Sequence, residues 1–296
     1  NNLENINWIF ELKNKVPIFL DQLKTKEKTG FLKYSLSGDL FSEKEKWGLG
    51  NTVFYVKILY ILDLLKDLDN KEKKEIISFI KSFKNKDNIF YDPLVKRKSF
   101  IKEKLSAIKH FDFNNFWHKQ IKIAETRQTI SVLKLLGENF IVPNKFLLKT
   151  NKDIIKYLKK LNWKNPWNAG SHFSTLLFFI YNSDLKNKEE LINGALKWLE
   201  TIKRSDGFWY KGNPSIQYKI NGAMKVLTGF DAIKRKPNID KKVIDQILEA
   251  INDNHACDNF NIIYVLYHVS LIYPNYKKED IKKFALDCLE NYKKYY

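Results

Sequence analysis

DGFWY at residues 206–210 and DNIFY at residues 87–91 are the stretches of this chain that decide its fold. Each follows a segment whose apolar residues have the spacing of an amphipathic helix. Self-similarity of this kind predicts a repeat fold built from stacked helix pairs, with the connecting loops gathered on one rim. The two stretches therefore indicate shape much more strongly than they indicate chemistry.

Two alternating classes of helix are predicted along the rest of the chain. Helices of the first class carry one apolar stripe and a face rich in Lys and Glu, which is typical of a peripheral helix. Helices of the second class are apolar most of the way round, so we expect other helices to enclose them. This second class covers residues 51–65, 123–136, 169–181, 217–230 and 258–272. The simplest packing is all-α: an α/α toroid whose inner and outer rings form about five or six hairpins, with an open solenoid as the alternative.

Length and composition bound the organisation of the chain. It has 296 residues, of which 44% are hydrophobic and 15% aromatic, enough for a sizeable core. No linker rich in Pro, Gly or Ser divides it, so we expect a single domain over residues 1–296. The Asn-Asn start leads us to expect a piece of a longer or processed protein.

Two cysteines predict no disulfide framework and a reducing, cytoplasmic setting. No apolar run is long enough to span a membrane, so peripheral contact is the most we expect.

The net charge of +18 comes from 52 Lys and Arg residues against 34 Asp and Glu residues. The excess is mostly Lys and is spread through every segment, which is typical of a solvated surface. The functional alternative is attraction to a polyanion such as an acidic glycan, a phospholipid surface or a diphosphate. No nucleic-acid-binding motif accompanies the charge, so nucleic acid ranks last among these partners.

A known superfamily shares the pattern around residues 206–209. A helix, a short polar stretch, DGFW and a second helix resemble the repeats of the terpenoid cyclase and protein prenyltransferase α/α toroids. The resemblance covers most of the chain and implies the fold rather than an activity. The DxDD acid motif of squalene-type cyclases is absent, and DLDN at residues 67–70 is the nearest string. Similar toroids in polysaccharide lyases and glycoside hydrolases imply Asn, His, Tyr and Arg side chains around a carbohydrate cleft.

The densest set of potential metal ligands lies near the C-terminus, at His255, Cys257, Asp258 and His268. Thiolate, imidazole and carboxylate are the donors that Zn²⁺ prefers. Asp258 begins a predicted helix, and His268 lies about 15 Å further along its axis, so one ion does not reach both. We predict a polar site without metal at His255 and Asp258. The alternatives are zinc on His255, Cys257 and Asp258, and an Asp that only caps the helix.

A second set surrounds the start of a predicted inner helix. Trp163 and Trp167 offer flat apolar faces on which a sugar ring or an isoprenoid stacks, and Asn168 and Ser171 can cap the helix. His172 is expected in the first helical turn, where the helix dipole favours a neutral imidazole suited to act as a general base. The alternative is a corner packed with Trp around a hydrogen-bonded His.

A third set interrupts otherwise apolar helices with polar residues. Glu125 and Arg127 each need a partner, because a buried charge is costly unless it is paired or faces water. Arg127 can hold a carboxylate or phosphate through two hydrogen bonds, and a structural ion pair is the alternative. Gln217 and Asn221 recur on one helix face with Lys225, which predicts that this face lines the central cavity. A weakly polar exposed face is the alternative.

These sets predict an aromatic-rimmed pocket that binds, and in an enzymatic version cleaves or modifies, a glycan or a glycan-like anion. The expected catalytic residues are His172, His255, Asp258 and Arg127. The expected binding residues are Trp163, Trp167, Asn168, Trp209, Gln217, Asn221 and Glu125. No cofactor is expected apart from the zinc alternative. One alternative function is an isoprenoid-handling enzyme acting on a lipid-linked small molecule, and another is a non-catalytic scaffold. The sequence does not decide whether the chain is an enzyme.

Overall fold

The all-α class is confirmed by a computed structural model, which describes residues 6–26, 28–37, 47–93, 105, 108, 119–250 and 256–294. Within these residues there are eleven α-helices and no strand. The helices are α1 (Asn7–Leu23), α2 (Leu49–Ile61), α3 (Asn70–Lys81), α4 (Lys119–Leu135), α5 (Asn151–Lys160), α6 (Pro166–Tyr181), α7 (Lys188–Glu200), α8 (Ile216–Ala232), α9 (Lys242–Leu248), α10 (Ala256–Ser270) and α11 (Lys278–Lys293). None of the described helices is both long enough and apolar enough to cross a membrane.

The chain divides into two compact units, Asn1–Phe146 and Leu147–Tyr296. In the first unit, α2 packs against α3 and α4. In the second unit, α8 packs against α6 on one side and α10 on the other, while α5 packs against α7. In the second unit α6, α8 and α10 therefore pack side by side, and α5 and α7 form a separate pair. The arrangement of these helices in an inner and an outer ring, and closure into a toroid, stay predictions.

Two helices that were predicted to be enclosed expose part of their apolar surface. Phe54 of α2 is 59% exposed, and so are Phe260 of α10 and Leu271, which follows the last residue of α10. The prediction is corrected for these faces. Periodicity indicates that a helix lacks a polar side, but it does not say on how many sides other helices pack.

The turn around residues 206–210 is closed by backbone hydrogen bonds. Lys203 and Trp209 form an antiparallel bridge. Inside it, Arg204 N donates to Phe208 O at 2.8 Å, and Gly207 N donates to Arg204 O at 2.9 Å. Gly207 has φ +91°, a conformation that glycine adopts without a steric cost. The turn directs the chain from the end of α7 towards the start of α8.

The same turn recurs in the first unit after α3. Lys84 and Phe90 form the equivalent bridge. Asn85 N donates to Ile89 O at 3.0 Å, and Asn88 N donates to Asn85 O at 3.1 Å. Asn88 has φ +62° and takes the place of the glycine, which is consistent with the tolerance of Asn for this conformation. The sequence echo is therefore a structural repeat at the level of the backbone.

Helices α6 and α8 approach each other closely near their N-terminal ends. A Cβ atom at Gly222 would lie 2.5 Å from Cβ of Pro166, and one at Gly170 would lie 2.8 Å from the carbonyl oxygen of Gly222. Side chains larger than hydrogen at these positions would force the helices apart. The two glycines thus fix the spacing between the N-terminal ends of α6 and α8.

Candidate functional site

Four hydrogen-bonded side chains join α8 to α10 and are called the polar ladder: Gln217, Asn221, Asp258 and Asn261. The Oδ1 atom of Asn221 accepts hydrogen bonds from Gln217 Nε2 at 2.8 Å and from Asn261 Nδ2 at 2.9 Å. The Nδ2 atom of Asn221 donates to Asp258 Oδ1 at 3.1 Å. Asn221 is 4% exposed and Asn261 is 3% exposed. Because buried amides are costly without partners, the ladder holds these side chains in one arrangement.

Local sequence sets the register of the ladder. Ser215 caps α8, its Oγ accepting a hydrogen bond from Tyr218 N at 3.4 Å. The cap places Gln217 in the first turn and Asn221 one turn later on the same face. The predicted common face of these two residues is confirmed by their hydrogen bond. Asn261 was missed, although its position three residues after Asp258 on α10 would have placed the two side chains on one face.

Trp167 and Lys225 form a partly open edge at the junction of α6 and α8. Lys225 Nζ lies 5.5 Å from the centre of the Trp167 ring, and Trp167 is 37% exposed. Lys225 follows Asn221 by one helical turn, so this edge adjoins the polar ladder. The cap of α6 is Asn165, which accepts a hydrogen bond from Asn168 N at 3.2 Å. The predicted capping role of Asn168 is therefore corrected, and its side chain is exposed.

The other two tryptophans that were predicted to bind ligand belong to the hydrophobic core. Trp163 and Trp209 are each 1% exposed. Trp163 Nε1 donates to Leu158 O at 3.1 Å, and its ring packs against Trp198 with ring centres 5.7 Å apart. Trp209 stacks on Phe230. The structure corrects the prediction of open aromatic walls at these two positions, because protein covers both indoles.

Of the two histidines predicted to be catalytic, the structure describes one. His172 is half-buried and lies in the second turn of α6, not in the first turn as predicted. The influence of the helix dipole has declined in the second turn. His255 lies outside the described residues. Cys257 is exposed at the start of α10. Over the part of the chain that the structure describes, no group of three or more His, Cys, Asp or Glu side chains could hold a metal ion.

Glu125 belongs to the first unit and contacts the loop after the DNIFY turn. Its Oε2 accepts a hydrogen bond from Asp92 N at 2.8 Å, and Asp92 Oδ2 accepts one from Gly48 N, also at 2.8 Å. Burial raises the pKa of Glu125 to about 7. The Asp92 N–H opposes this rise, and the Asp92 charge adds to it. The carboxyl group of Glu125 is therefore poised to ionise near neutral pH.

A lysine with a shifted pKa lies on the neighbouring helix α2. Burial lowers the pKa of Lys57 to about 8, and the charge of Arg127 contributes in the same direction. The ammonium group of Lys57 donates a hydrogen bond to Gln128 Oε1. Acids and bases with pKa values near 7 are enriched at functional sites. Glu125 has a partner of its own in Asp92 N, whereas the separate partner predicted for Arg127 stays a prediction.

Asp231, Tyr264 and His268 form a third polar cluster, near the C-terminal ends of α8 and α10. His268 Nε2 lies 3.2 Å from Asp231 Oδ2, and the Tyr264 hydroxyl donates to the same oxygen. Burial raises the pKa of Asp231, but the hydrogen bonds from His268 and Tyr264 outweigh it, so the pKa lies below its usual value. The cluster contributes stability through the ionised carboxylate.

Replacing Asp231 with Asn should destabilise the protein only where the aspartate is ionised. A carboxyl with a depressed folded-state pKa contributes stability above its unfolded pKa, and this contribution is lost as the pH falls through the folded pKa. We expect a loss of about 1 kcal/mol or less at pH 7, because Asp231 is half-exposed, and no difference at acidic pH. Urea unfolding at both pH values measures this, with the exposed Asp184→Asn as the control. A deficit that persists in acid would contradict it.

No protein-family model, curated protein sequence or solved structure matches this chain.

Proposed function

We propose that the polar ladder and the Trp167–Lys225 edge together bind a glycan or a glycan-like anion. The half-buried amide of Gln217 offers hydrogen-bond donors and acceptors, and the half-buried carboxylate of Asp258 offers acceptors. The buried amides of Asn221 and Asn261 hold these two groups in place. These groups complement the hydroxyls of a sugar, each of which donates and accepts. The partly exposed face of Trp167 suits stacking on a sugar ring, and Lys225 supplies a positive charge for an acidic substituent.

The observation that carries this proposal is the buried amide of Asn221 at the centre of the ladder. Its two polar atoms bind three other side chains on two helices. Inner helices do not need such a network for stability, since well-packed apolar residues are often as stable as a buried polar cluster. A hydrogen-bonding ligand gives a reason for the cluster, because side chains locked in one arrangement lose little entropy on binding.

The isoprenoid alternative fits these residues less well. A hydrocarbon ligand placed against the half-buried Gln217 and Asp258 would remove water from them without replacing its hydrogen bonds. An oligosaccharide replaces those hydrogen bonds with its own hydroxyls. Asp258 is the carboxyl group within the ladder, so in an enzymatic version of the proposal it acts as the acid or base. The roles of His172, His255 and Arg127 stay predictions.

Calorimetric titration with a uronic-acid oligosaccharide and with its neutral counterpart tests the proposal. We expect the acidic oligosaccharide to bind more tightly. Trp167→Ala should weaken binding about tenfold, by the loss of one stacked ring, while leaving the melting temperature nearly unchanged. The matched control is Tyr267→Ala, which removes an aromatic side chain that is 56% exposed at the other end of α10.

Two results would contradict the proposal. One is the absence of binding to either oligosaccharide by the folded, unmodified chain. The other is equal loss of affinity in Trp167→Ala and Tyr267→Ala, because that would place the ligand away from the ladder. Asp258→Asn adds a further readout, since it keeps an oxygen that accepts from Asn221 and removes only the charge.

A further inference from the structure

The turn at residues 203–209 is called the second repeat turn, and its counterpart at residues 84–90 the first repeat turn. A basic cavity of about 210 Å³ lies beside the second repeat turn. It is called the turn pocket and is lined by Thr201, Ile202, Lys203, Arg204, Tyr210 and Lys211. Three of the six residues are cationic, and none is acidic. The volume is several times the share of one water molecule in the liquid, about 30 Å³. The pocket therefore has room for a small anion with some of its water.

The backbone of Arg204 closes the turn at residues 203–209, but its side chain takes no part in the hydrogen bonds inside that turn. In the first repeat turn the equivalent position is Asn85, whose Oδ1 accepts hydrogen bonds from Asp87 N and Ile89 N, each at 2.9 Å. In the second turn Asp206 Oδ1 performs this task by accepting from Phe208 N at 3.2 Å. The side chain of Arg204 is thus not used between residues 203 and 209, and it is exposed. Four of the 52 basic residues are arginines, so its presence here departs from the prevalent use of lysine.

The guanidinium of Arg204 is oriented but keeps donors available. Its Nε donates to Tyr210 O at 3.3 Å, and its Cζ lies 5.8 Å from the centre of the Tyr210 ring. Within the described part of the chain its two terminal nitrogens make no hydrogen bond. A guanidinium held in this way presents a fork of N–H groups that matches two oxygens of an oxyanion.

The ring beneath Arg204 is itself held in place. The hydroxyl of Tyr210 donates to Asp206 Oδ2 at 2.9 Å. Lys219 Nζ lies 4.6 Å from the centre of the same ring and 3.0 Å from Asp206 Oδ2. Asp206 is therefore neutralised by Lys219, and it does not compete for Arg204. The pocket keeps its positive charge.

The other cations of the turn pocket complete the site. Lys203 Nζ donates to Asn238 O at 2.6 Å and is 3.8 Å from the carboxylate of Glu200, which lies at the edge of ion-pair distance. Lys211 is exposed. Three positive charges around one small cavity favour an ion with two negative charges over a single carboxylate.

We propose that the turn pocket binds a tetrahedral oxyanion, a phosphate or sulfate group, through the terminal nitrogens of Arg204 with Lys203 and Lys211 beside it. The site is distinct from the polar ladder. Lys219, which faces the turn, is two residues from both Gln217 and Asn221, and residues two apart lie on different faces of a helix. The phosphate group can belong to a soluble phosphate ester or to a phospholipid headgroup.

Titration with inorganic phosphate at constant ionic strength tests the site, with the backbone amides of Gly207 and Gly212 observed by NMR. We expect saturable binding with a Kd in the millimolar range. Arg204→Gln should weaken it at least about fivefold, by loss of the charged bidentate contact. Lys186→Gln is the matched control, because it removes one exposed positive charge elsewhere in the same unit and should change nothing.

The source of the phosphate is separated by two further titrations. Vesicles containing phosphatidic acid, whose phosphomonoester headgroup can carry two negative charges, would assign a lipid headgroup if they sediment with the protein only when Arg204 is present. Binding of glucose 6-phosphate without vesicle binding would assign a soluble ester. The proposal is overturned if inorganic phosphate binds Arg204→Gln as tightly as the unmodified chain, or if no saturable binding occurs. Arg204→Gln should still bind the oligosaccharide. This measurement tells failure of phosphate binding apart from failure of the function proposed for the polar ladder.

Discussion

Replacing Trp163 with alanine should lower the free energy of unfolding by about 3–5 kcal/mol, whereas the same change at Trp167 should leave it almost unaltered. Trp163 is 1% exposed and Trp167 is 37% exposed. Truncation at Trp163 removes the contact with Trp198 and the hydrogen bond to Leu158 O, and it leaves a cavity under the start of α6. Truncation at Trp167 removes surface that water already reaches.

Urea unfolding followed by far-UV circular dichroism measures both variants without relying on tryptophan emission. The pair separates two roles that the sequence had joined. Trp163→Ala should lose stability, and its folded fraction should still bind the oligosaccharide. Trp167→Ala should keep stability and lose affinity. Equal stability of the two variants would contradict the placement of Trp163 in the core.

The second large effect is expected at Glu125, where glutamine should stabilise the protein at pH 8 and not at pH 5. The pKa of Glu125 is raised from 4.5 to about 7 by burial. Between the unfolded and the folded pKa, the carboxyl group is ionised in the unfolded chain but still protonated in the folded one. The free energy of unfolding therefore falls as the pH rises through this range. One pKa unit corresponds to about 1.4 kcal/mol, so the cost of ionising Glu125 approaches about 3 kcal/mol above pH 7.

Glutamine is neutral at every pH and keeps an oxygen that can accept the hydrogen bond from Asp92 N. Urea unfolding of Glu125→Gln and of the unmodified chain should give similar free energies at pH 5. The variant should be more stable by up to about 3 kcal/mol at pH 8. Glu75→Gln on α3 is the control for a general loss of negative charge. If the free energy of unfolding of Glu125→Gln depends on pH as it does in the unmodified chain, the carboxyl group of Glu125 is solvated in the folded protein.

Parts of the fold could be predicted because their causes are local. The turn at residues 203–209 depends on Gly207 at positive φ and on Asp206 capping its own turn, and both are visible in the sequence. The face shared by Gln217 and Asn221 follows from helical periodicity. The contact between Asn221 and Asp258 could not be predicted, because only the packing of α8 on α10 brings these residues together.

The division between core and surface tryptophans shows the same limit. Trp163 and Trp167 are the same residue type four positions apart, at the entry to one helix. Their burial differs because Trp198, on another helix, covers only the first of them. The apolar faces of α2 and α10 were likewise predicted to be covered. The pattern of apolar residues on a helix does not tell how many other helices pack against it.

The packing order of the second unit has a consequence for how the chain reaches its native state. Helix α6 packs on α7 and α8, and α8 packs on α10, so each contact joins helices that are adjacent or next but one along the chain. The entropy cost of closing a loop rises only slowly with its length, so such contacts can form stepwise. Helices can therefore join the growing unit one after another, each on a surface already formed. In that order the polar ladder is completed only when α10 docks, which makes α10 the element whose detachment dismantles the ladder first.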